Sequence, residues 1–204
     1  MKKVIKIISD IIILAAVIGL YVLAFKFIYA QFRERKRKEI SDGIMDKVND
    51  KIDNNKKVAN KNTIETEAKV RYKGNSYTVL GTIYIPRIDF KQPILKENTY
   101  GAYNVSVVKI KGPNLNEKGN VVIGGHNYMR AKYFMKINQL EKKDIVNITD
   151  LKGRSINYYV YDIKVVSDDD ASYLQNITDG GKYVTLVTCQ QGGKDRYIVK
   201  ARAN

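Results

Sequence analysis

Apolar positions along the chain form three successive patterns: one continuous run, a polar segment with sparse apolar positions, and a series of short apolar runs. The continuous run covers residues 11–25 and is bracketed by Asp10 and Lys26. With its apolar flanks it extends over residues 7–30, and about 20 residues suffice to cross the hydrocarbon core of a bilayer. The pattern therefore predicts a membrane anchor over residues 1–30, with residues 7–30 in contact with membrane lipid.

Whether the anchor is cleaved and which way it is oriented in the membrane are two separate questions. Residues 22–24 weakly resemble a signal-peptidase cleavage site, but the apolar run continues beyond them, so we favour an uncleaved anchor. Three lysines precede the run, whereas five basic residues follow it between Arg33 and Lys38. The positive-inside rule on its own would therefore place the C-terminal side of the anchor in the cytoplasm.

The next segment, residues 31–71, is polar and charged. Its few apolar residues recur at roughly helical spacing, which predicts a membrane-proximal helix from about Gln31 to Ile52. These apolar residues are Ile40, Ile44, Met45, Val48 and Ile52. Residues 54–62 are rich in asparagine and lysine, a composition typical of a mobile linker. We interpret residues 31–71 as a partly helical stalk.

From residue 72 onward, short β-rich runs alternate with turn residues. The most regular are residues 77–86, 120–125, 144–149, 156–166 and 182–189. Short helices are expected near residues 133–140 and 172–177. Seven or eight strands with so few helices predict a mainly β fold, an antiparallel or mixed barrel over residues 72–204.

Composition and net charge limit the classes of molecule that the protein is expected to bind. An apolar fraction of 44% permits a packed core, and the formal net charge of +15 favours anionic surfaces such as lipid head groups or phosphate-rich wall polymers. The sequence shows no recognisable nucleic-acid-binding module, so we expect no nucleic-acid partner.

The chain has one cysteine and one histidine, and each ends an apolar run. Cys189 ends residues 183–189, and a lone cysteine is either a buried apolar side chain or a reactive thiol. If the last two strands pair, Arg196 faces Cys189, where a cation lowers a thiol pKa and stabilises an oxyanion. His126 follows two glycines and is suited to general acid–base chemistry. On their own, a structural histidine and a surface arginine are the simpler interpretations.

The segment Thr185–Cys189, with the sequence TLVTC, resembles the TLxTC signature of sortases, the bacterial transpeptidases that attach proteins to the cell wall. The resemblance covers roughly Gly81 to Asn204 and includes residues 81–88, 119–127 and the run that begins at Arg196. It implies an eight-stranded sortase β-barrel with short helices, preceded by a transmembrane helix and a polar stalk.

The resemblance also implies a mechanism and partners. Cys189 would cleave an LPXTG-like sorting signal between Thr and Gly through a thioacyl intermediate, with His126 as acid and base. Arg196 would hold the substrate and the oxyanion, and Val187 and Thr188 would contact substrate. The partners would be surface proteins with a C-terminal sorting signal and an amine of a peptidoglycan precursor. The resemblance implies a cytoplasmic N-terminus and an extracellular catalytic domain, which we prefer to the orientation that the charges favour.

Several features bear on the subclass. Residues 166–182 are too few for the helical insertion of class B. The pilin-polymerising class C is disfavoured because no second apolar span follows Arg196 and no Asp-Pro-aromatic segment precedes the barrel. We therefore expect an enzyme that resembles class A, D or E. Asp168–Asp170 resemble a region that helps bind calcium in some sortases, but we interpret them as a polar turn and predict no cofactor.

Two other functions remain open. A papain-like cysteine protease that only hydrolyses is disfavoured, because its cysteine precedes the histidine and begins a helix. A non-catalytic, membrane-anchored surface-binding module would need no reactive thiol, so a thiol-reactive probe of Cys189 separates it from the enzymes.

Overall fold

The computed structural model describes residues 2–57, 65–127, 133–190 and 193–204. A long helix, α1 (Lys2–Lys57), comes first, and a one-turn helix, α2 (Tyr100–Tyr103), lies between the third and fourth strands. Single 3-10 turns occur at Pro86–Ile88, Ile137–Gln139 and Ser172–Leu174. The strands are β1 (Ala68–Tyr72), β2 (Asn75–Ile85), β3 (Phe90–Leu95), β4 (Val107–Lys111), β5 (Gly119–Gly124), β6 (Ile145–Asp150), β7 (Ser155–Ser167), β8 (Lys182–Cys189) and β9 (Asp195–Ala203).

The first part of α1, up to Lys36, forms a compact unit of its own. Its apolar side chains are exposed, and α1 contains an 18-residue window with a mean hydropathy of 2.7. Among the described residues, α1 is the one helix that is long and apolar enough to cross a membrane. The predicted apolar helix is therefore present, and its length and composition suit a membrane anchor.

The remainder of α1, from Arg37 to Lys57, belongs to the same unit as the strands. Ile44, Val48 and Ile52 lie on one face of the helix and are 0%, 0% and 3% exposed. They pack against a cluster that includes Val79 and Leu95 of the sheet. Within the segment that we interpret as a partly helical stalk, this helix thus buries its apolar face against the outer side of the sheet.

Two further contacts fix this part of α1. Gly43 lies so close to Tyr72 that a Cβ atom on the glycine would come within 2.2 Å of the tyrosine ring. Near the end of the helix, the Asn55 side chain donates a hydrogen bond of 2.8 Å to the carbonyl oxygen of Leu151. The predicted linker falls partly in α1 and partly on residues 58–64, which lie outside the described residues.

The strands form one mixed sheet that closes on itself. Its order is β1-β2-β3-β4-β5-β8-β9-β7-β6, and β6 pairs again with β2. The closed ring therefore contains eight strands, and β1 is an additional strand that pairs with the first part of β2. This confirms the expected eight-stranded barrel. Because β1 begins at Ala68, the sheet reaches into the segment that we assigned to the stalk, and the limits 1–30, 31–71 and 72–204 stay a prediction.

Apolar side chains fill the barrel interior and pack on two outer regions. The interior cluster contains, among others, Ile83, Ile123, Phe134 and Leu186. The first outer cluster is the one beneath α1. The second is small: Val122, Val187 and Ile198 pack against Tyr173 and Leu174 of the 3-10 turn. This turn therefore lies over the outer face of β5, β8 and β9, beside the ends of those strands.

Candidate active site

Cys189 is the last residue of β8, and Arg196 lies directly opposite it on β9. The two strands are antiparallel partners, and the backbone N–H of Gln190 donates to the carbonyl oxygen of Asp195 at 2.9 Å. The predicted adjacency of the two strands is therefore observed. Since Cβ atoms of directly opposite residues are about 5 Å apart, the cation and the thiol share one end of the sheet.

His126 reaches the same end of the sheet through a parallel pairing. β5 and β8 are parallel neighbours, with Gly124 opposite Val187. The carboxyl ends of parallel strands lie at one edge, so the residues that follow β5 meet the residues that end β8. The sequence indicated two strand ends but did not indicate that these strands are parallel neighbours.

A cleft of about 220 Å³ contains all three predicted catalytic residues. Its lining residues are Tyr103, Ile110, Gly124, Gly125, His126, Tyr173, Val187, Thr188, Cys189 and Arg196. Cys189 is exposed, so its thiol is accessible from this cleft. The structure thus brings together a thiol, an imidazole and a guanidinium.

Three hydrogen bonds join the segment around His126 to the strand that carries Cys189. The backbone N–H of Gly125 donates to the carbonyl oxygen of Val187 at 3.1 Å. The Thr188 hydroxyl donates to the carbonyl oxygen of Gly125 at 2.7 Å. The Asn127 side-chain amide donates to the carbonyl oxygen of Cys189 at 3.0 Å. These bonds fix the distance between the two chain segments on which the imidazole and the thiol are carried.

The residues predicted to contact substrate are mostly buried. Val187 and Thr188 are 5% and 4% exposed, and both line the cleft. The Thr188 hydroxyl is engaged with the backbone of Gly125, a positioning contact that the sequence did not indicate. A substrate contact by either residue stays a prediction.

Two tyrosines that the sequence analysis did not single out flank His126. The ring centroids of Tyr103 and His126 are 5.0 Å apart, and those of Tyr100 and His126 are 5.9 Å apart. Both tyrosines belong to α2, which begins after Thr99. The available signal was a helix-capping threonine followed by aromatic residues three positions apart, but it did not indicate which side chain they would contact.

Burial affects the ionisable groups of the cleft. Burial lowers the pKa of His126 below its ordinary value of 6.5, and the positive charge of Arg37 lowers it further. The imidazole is therefore mostly neutral at pH 7 and able to accept a proton. Burial raises the pKa of Tyr103 to about 12, with smaller contributions from Tyr173 and Cys189, so its phenol stays protonated.

The Arg196 guanidinium is held by the loop that joins β8 and β9. Its Nη1 donates to the carbonyl oxygens of Gly193 and Asp195 at 3.0 and 3.3 Å. These bonds use one nitrogen of the planar fork and orient the group at the rim of the cleft. A second cavity, of about 520 Å³, shares Thr188 with the cleft and is also lined by Asn127, Gln190 and Tyr197.

The acidic run at Asp168–Asp170 lies before the 3-10 turn at Ser172–Leu174. The Asp170 carboxylate accepts a hydrogen bond of 2.7 Å from the backbone N–H of Ser172. This is the bond expected of a polar turn that begins a helix. Within the described ranges, no cluster of three or more carboxylate, imidazole or thiol side chains is placed to hold a metal ion.

Comparison with known proteins gives consistent relatives. A protein-family model described as the sortase domain matches residues 83–204. Sortase A of Bacillus anthracis is 30% identical over 125 residues, which are 59% of this chain and 58% of that protein. Sortase C1 of Streptococcus agalactiae has a TM-score of 0.57 and 27% identity, covering 62% of this chain and 67% of that one. A Clostridium perfringens sortase D5 transpeptidase has a TM-score of 0.56 and 30% identity, covering 62% and 79%.

These relatives include sortases named A, C1 and D5, so the comparisons do not separate the classes. The match spans 58% of the length of this curated relative, less than two thirds of it.

Proposed function

The chain belongs to the sortase family, and we propose that it is a membrane-anchored cysteine transpeptidase with Cys189, His126 and Arg196 as its catalytic residues. The observation that carries the proposal is the meeting of these three side chains in one cleft at the end of β5, β8 and β9. The parallel pairing of β5 with β8 brings His126 to this cleft, and the antiparallel pairing of β8 with β9 brings Arg196 beside Cys189.

The first half of the reaction breaks a peptide bond. The Cys189 sulfur, after its proton passes to His126, attacks the Thr carbonyl carbon of an LPXTG-like sorting signal and forms a C–S bond. Arg196 stabilises the oxygen that becomes negative, a contribution of about 3 kcal/mol for one such donor. The C–N bond to Gly then breaks, the imidazolium of His126 gives its proton to the leaving amine, and a thioester remains on Cys189.

The second half transfers the acyl group. An amine of a peptidoglycan precursor attacks the thioester carbon, gives a proton to His126, and expels the Cys189 thiolate, which takes that proton back. The two substrates bind in turn, because the first amine leaves before the acceptor amine attacks. The cleft that contains Cys189 can therefore serve both half-reactions.

The partners and location follow from the same proposal. The substrates are surface proteins with a C-terminal sorting signal, and residues 7–30 hold the enzyme in the membrane with the barrel outside the cell. For subclass, we propose an enzyme that resembles class A, D or E. This is supported by a sequence without an Asp-Pro-aromatic segment ahead of the barrel and by a short connection between β7 and β8.

The test uses the full chain in detergent micelles, a library of sorting-signal peptides and a triglycine acceptor. We expect cleavage after Thr, a peptide–triglycine product, and a mass increase on the enzyme that corresponds to one acyl group. Cys189→Ala should abolish all three while leaving the circular dichroism spectrum unchanged. Near-normal turnover by this variant would contradict the covalent mechanism.

The same experiment separates the other functions. Cleavage without any triglycine product, at saturating acceptor, would identify a hydrolytic cysteine protease. Cleavage of no peptide, together with a Cys189 thiol that iodoacetamide does not alkylate, would favour a surface-binding module. Because Cys189 is the only cysteine, alkylation reports on this thiol alone.

A further inference from the structure

The imidazole of His126 is in contact with two tyrosine rings of α2. Tyr103 contacts it at a centroid distance of 5.0 Å with an angle of 38° between the ring planes. Tyr100 contacts it edge-on at 5.9 Å and 62°. Aromatic pairs at such distances attract beyond their apolar burial, and two pairs on one small ring restrict its rotation.

The segment that carries the two tyrosines is itself fixed. The Thr99 hydroxyl accepts a hydrogen bond of 3.3 Å from the backbone N–H of Ala102, which closes the turn. Ala102 and Val105 are buried in the cluster beneath α1, and Tyr103 packs against the same cluster. Tyr103 therefore connects a rigid part of the core to the imidazole.

The glycine pair before His126 makes room for this arrangement. A Cβ atom on Gly124 would lie 2.8 Å from the Tyr103 hydroxyl oxygen and 2.7 Å from Ile110. A Cβ atom on Gly125 would lie 2.8 Å from the ring of Phe134. The absence of side chains at both positions thus lets aromatic rings approach the backbone that carries His126.

We propose that Tyr103 is a positioning residue that holds the His126 imidazole in the orientation its proton transfers require, with Tyr100 as a second ring contact. The inference rests on the proposed function, since it assigns a task to His126. Tyr103 acts on the chemistry through His126.

The physical consequences of this contact are specific. Tyr103 covers part of the imidazole, and burial is the main cause of the lowered pKa of His126. The charged and ionisable groups that face this site are Arg37, Arg196, Tyr100, Tyr103, Tyr173 and Cys189. Removing the Tyr103 ring exposes the imidazole to water, so the pKa of His126 should move up toward 6.5.

The test follows the imidazole directly, because His126 is the only histidine of the chain. The full chain in micelles, carrying Cys189→Ala, is titrated by NMR with and without Tyr103→Ala and Tyr103→Phe. We expect Tyr103→Ala to raise the pKa of His126 and to remove the ring-current shift of its carbon-bound protons. Tyr103→Phe keeps the ring, so both observables should stay close to those of the unsubstituted tyrosine.

Turnover is measured in parallel with Cys189 intact. The loss of one aromatic contact should lower the single-turnover acylation rate by about 3- to 10-fold in Tyr103→Ala, and Tyr103→Phe should restore it. Tyr84→Ala is the matched control, because Tyr84 is an exposed tyrosine on β2 outside the cleft. Its acylation rate should equal that of the native chain.

An unchanged His126 titration and acylation rate in Tyr103→Ala would overturn the proposal. Should Tyr103→Ala fail to fold, Tyr103→Leu decides, since leucine keeps an apolar side chain against the cluster beneath α1 but removes the aromatic ring. It should still remove the ring-current shift of His126 and slow acylation, and no change in either would overturn the positioning role. A native chain without any peptide cleavage would refute the proposed function, whereas the NMR titration would still decide the contact.

Discussion

At the scale of single residues, a few hydrogen bonds position the ionisable groups of the cleft. Asn127 and Thr188 each bond to the backbone of the opposite segment, so the two chain segments that carry the imidazole and the thiol are joined directly. Arg196 is oriented by the carbonyl oxygens of its own loop. Substitutions of Arg196 and of His126 should therefore change different measured quantities.

Arg196 should be needed as a planar fork and not merely as a charge. Arg196→Lys keeps the cation but cannot donate two parallel hydrogen bonds, so we expect turnover to fall by about 10²- to 10³-fold. Peptide-cleavage rates of the native chain, Arg196→Lys and Arg196→Ala measure this. Alkylation of Cys189 should persist in both variants, because the nucleophile remains.

Arg202→Lys is the matched control for Arg196, since Arg202 lies on the same strand, 5.9 Å from the centre of the Tyr161 ring. It should leave the cleavage rate unchanged. Native rates in Arg196→Ala would place the oxyanion stabiliser elsewhere.

His126 should also make stability depend on pH. Its pKa is lowered in the folded chain, so the unfolded chain binds the proton more readily between the folded value and 6.5. Its contribution to stability is complete above pH 6.5 and is lost as the pH falls through the folded pKa. Thermal midpoints between pH 7 and pH 5 should therefore fall less in His126→Gln than in the native chain. Equal slopes for the two proteins would show that His126 is not buried as described.

At the scale of elements, the sequence predicted which residues form strands more successfully than which strands lie side by side in the sheet. Alternation and turn residues indicated β6, β7, β8 and β9 nearly as observed, since local patterns determine them. The parallel pairing of β5 with β8 depends on contacts between residues that are far apart in sequence, such as Thr185 and Asn120, which are 65 positions apart. No local sequence pattern encodes such a pairing. The three catalytic candidates could be chosen from a signature, but the flanking tyrosines required the three-dimensional position of α2.

The second half of α1 is the element for which the structure adds most. The spacing of Ile44, Val48 and Ile52 predicted a helix, yet it did not indicate the partner of the apolar face. Its partner is an apolar surface on the outer side of the sheet, to which several strands each contribute a few side chains. This surface exists only once the sheet is assembled, so no single strand indicates it.

Ile44→Ala should therefore lower the free energy of unfolding by about 2–4 kcal/mol, because Ile44 is fully buried and the substitution leaves a cavity. Denaturant unfolding of the full chain in micelles measures the change. Lys47→Ala is the control on the same helix, where an exposed side chain should change stability by less than about 0.5 kcal/mol. Equal stabilities of the two variants would contradict the packing of α1 on the sheet.

At the scale of the whole molecule, the anchor raises a question of orientation. The basic residues after the apolar run favour a cytoplasmic barrel, whereas the proposed function requires an extracellular one. We expect the second orientation. Protease added to intact protoplasts should digest the barrel, and lysed protoplasts serve as the control for cleavability. Complete protection of residues 65–204 in intact protoplasts would refute both the orientation and the proposed role at the wall.

The added strand β1 has a consequence for crowding at a membrane surface. The barrel ring is closed, so within the described residues the outer side of β1 is the sheet's open edge. An open edge invites pairing with a strand of another molecule. The exposed positions of β1 are Lys69 and Arg71, which place like charges along that edge. Two anchored molecules that meet edge to edge would therefore bring like charges together, which disfavours the joining of their sheets into one.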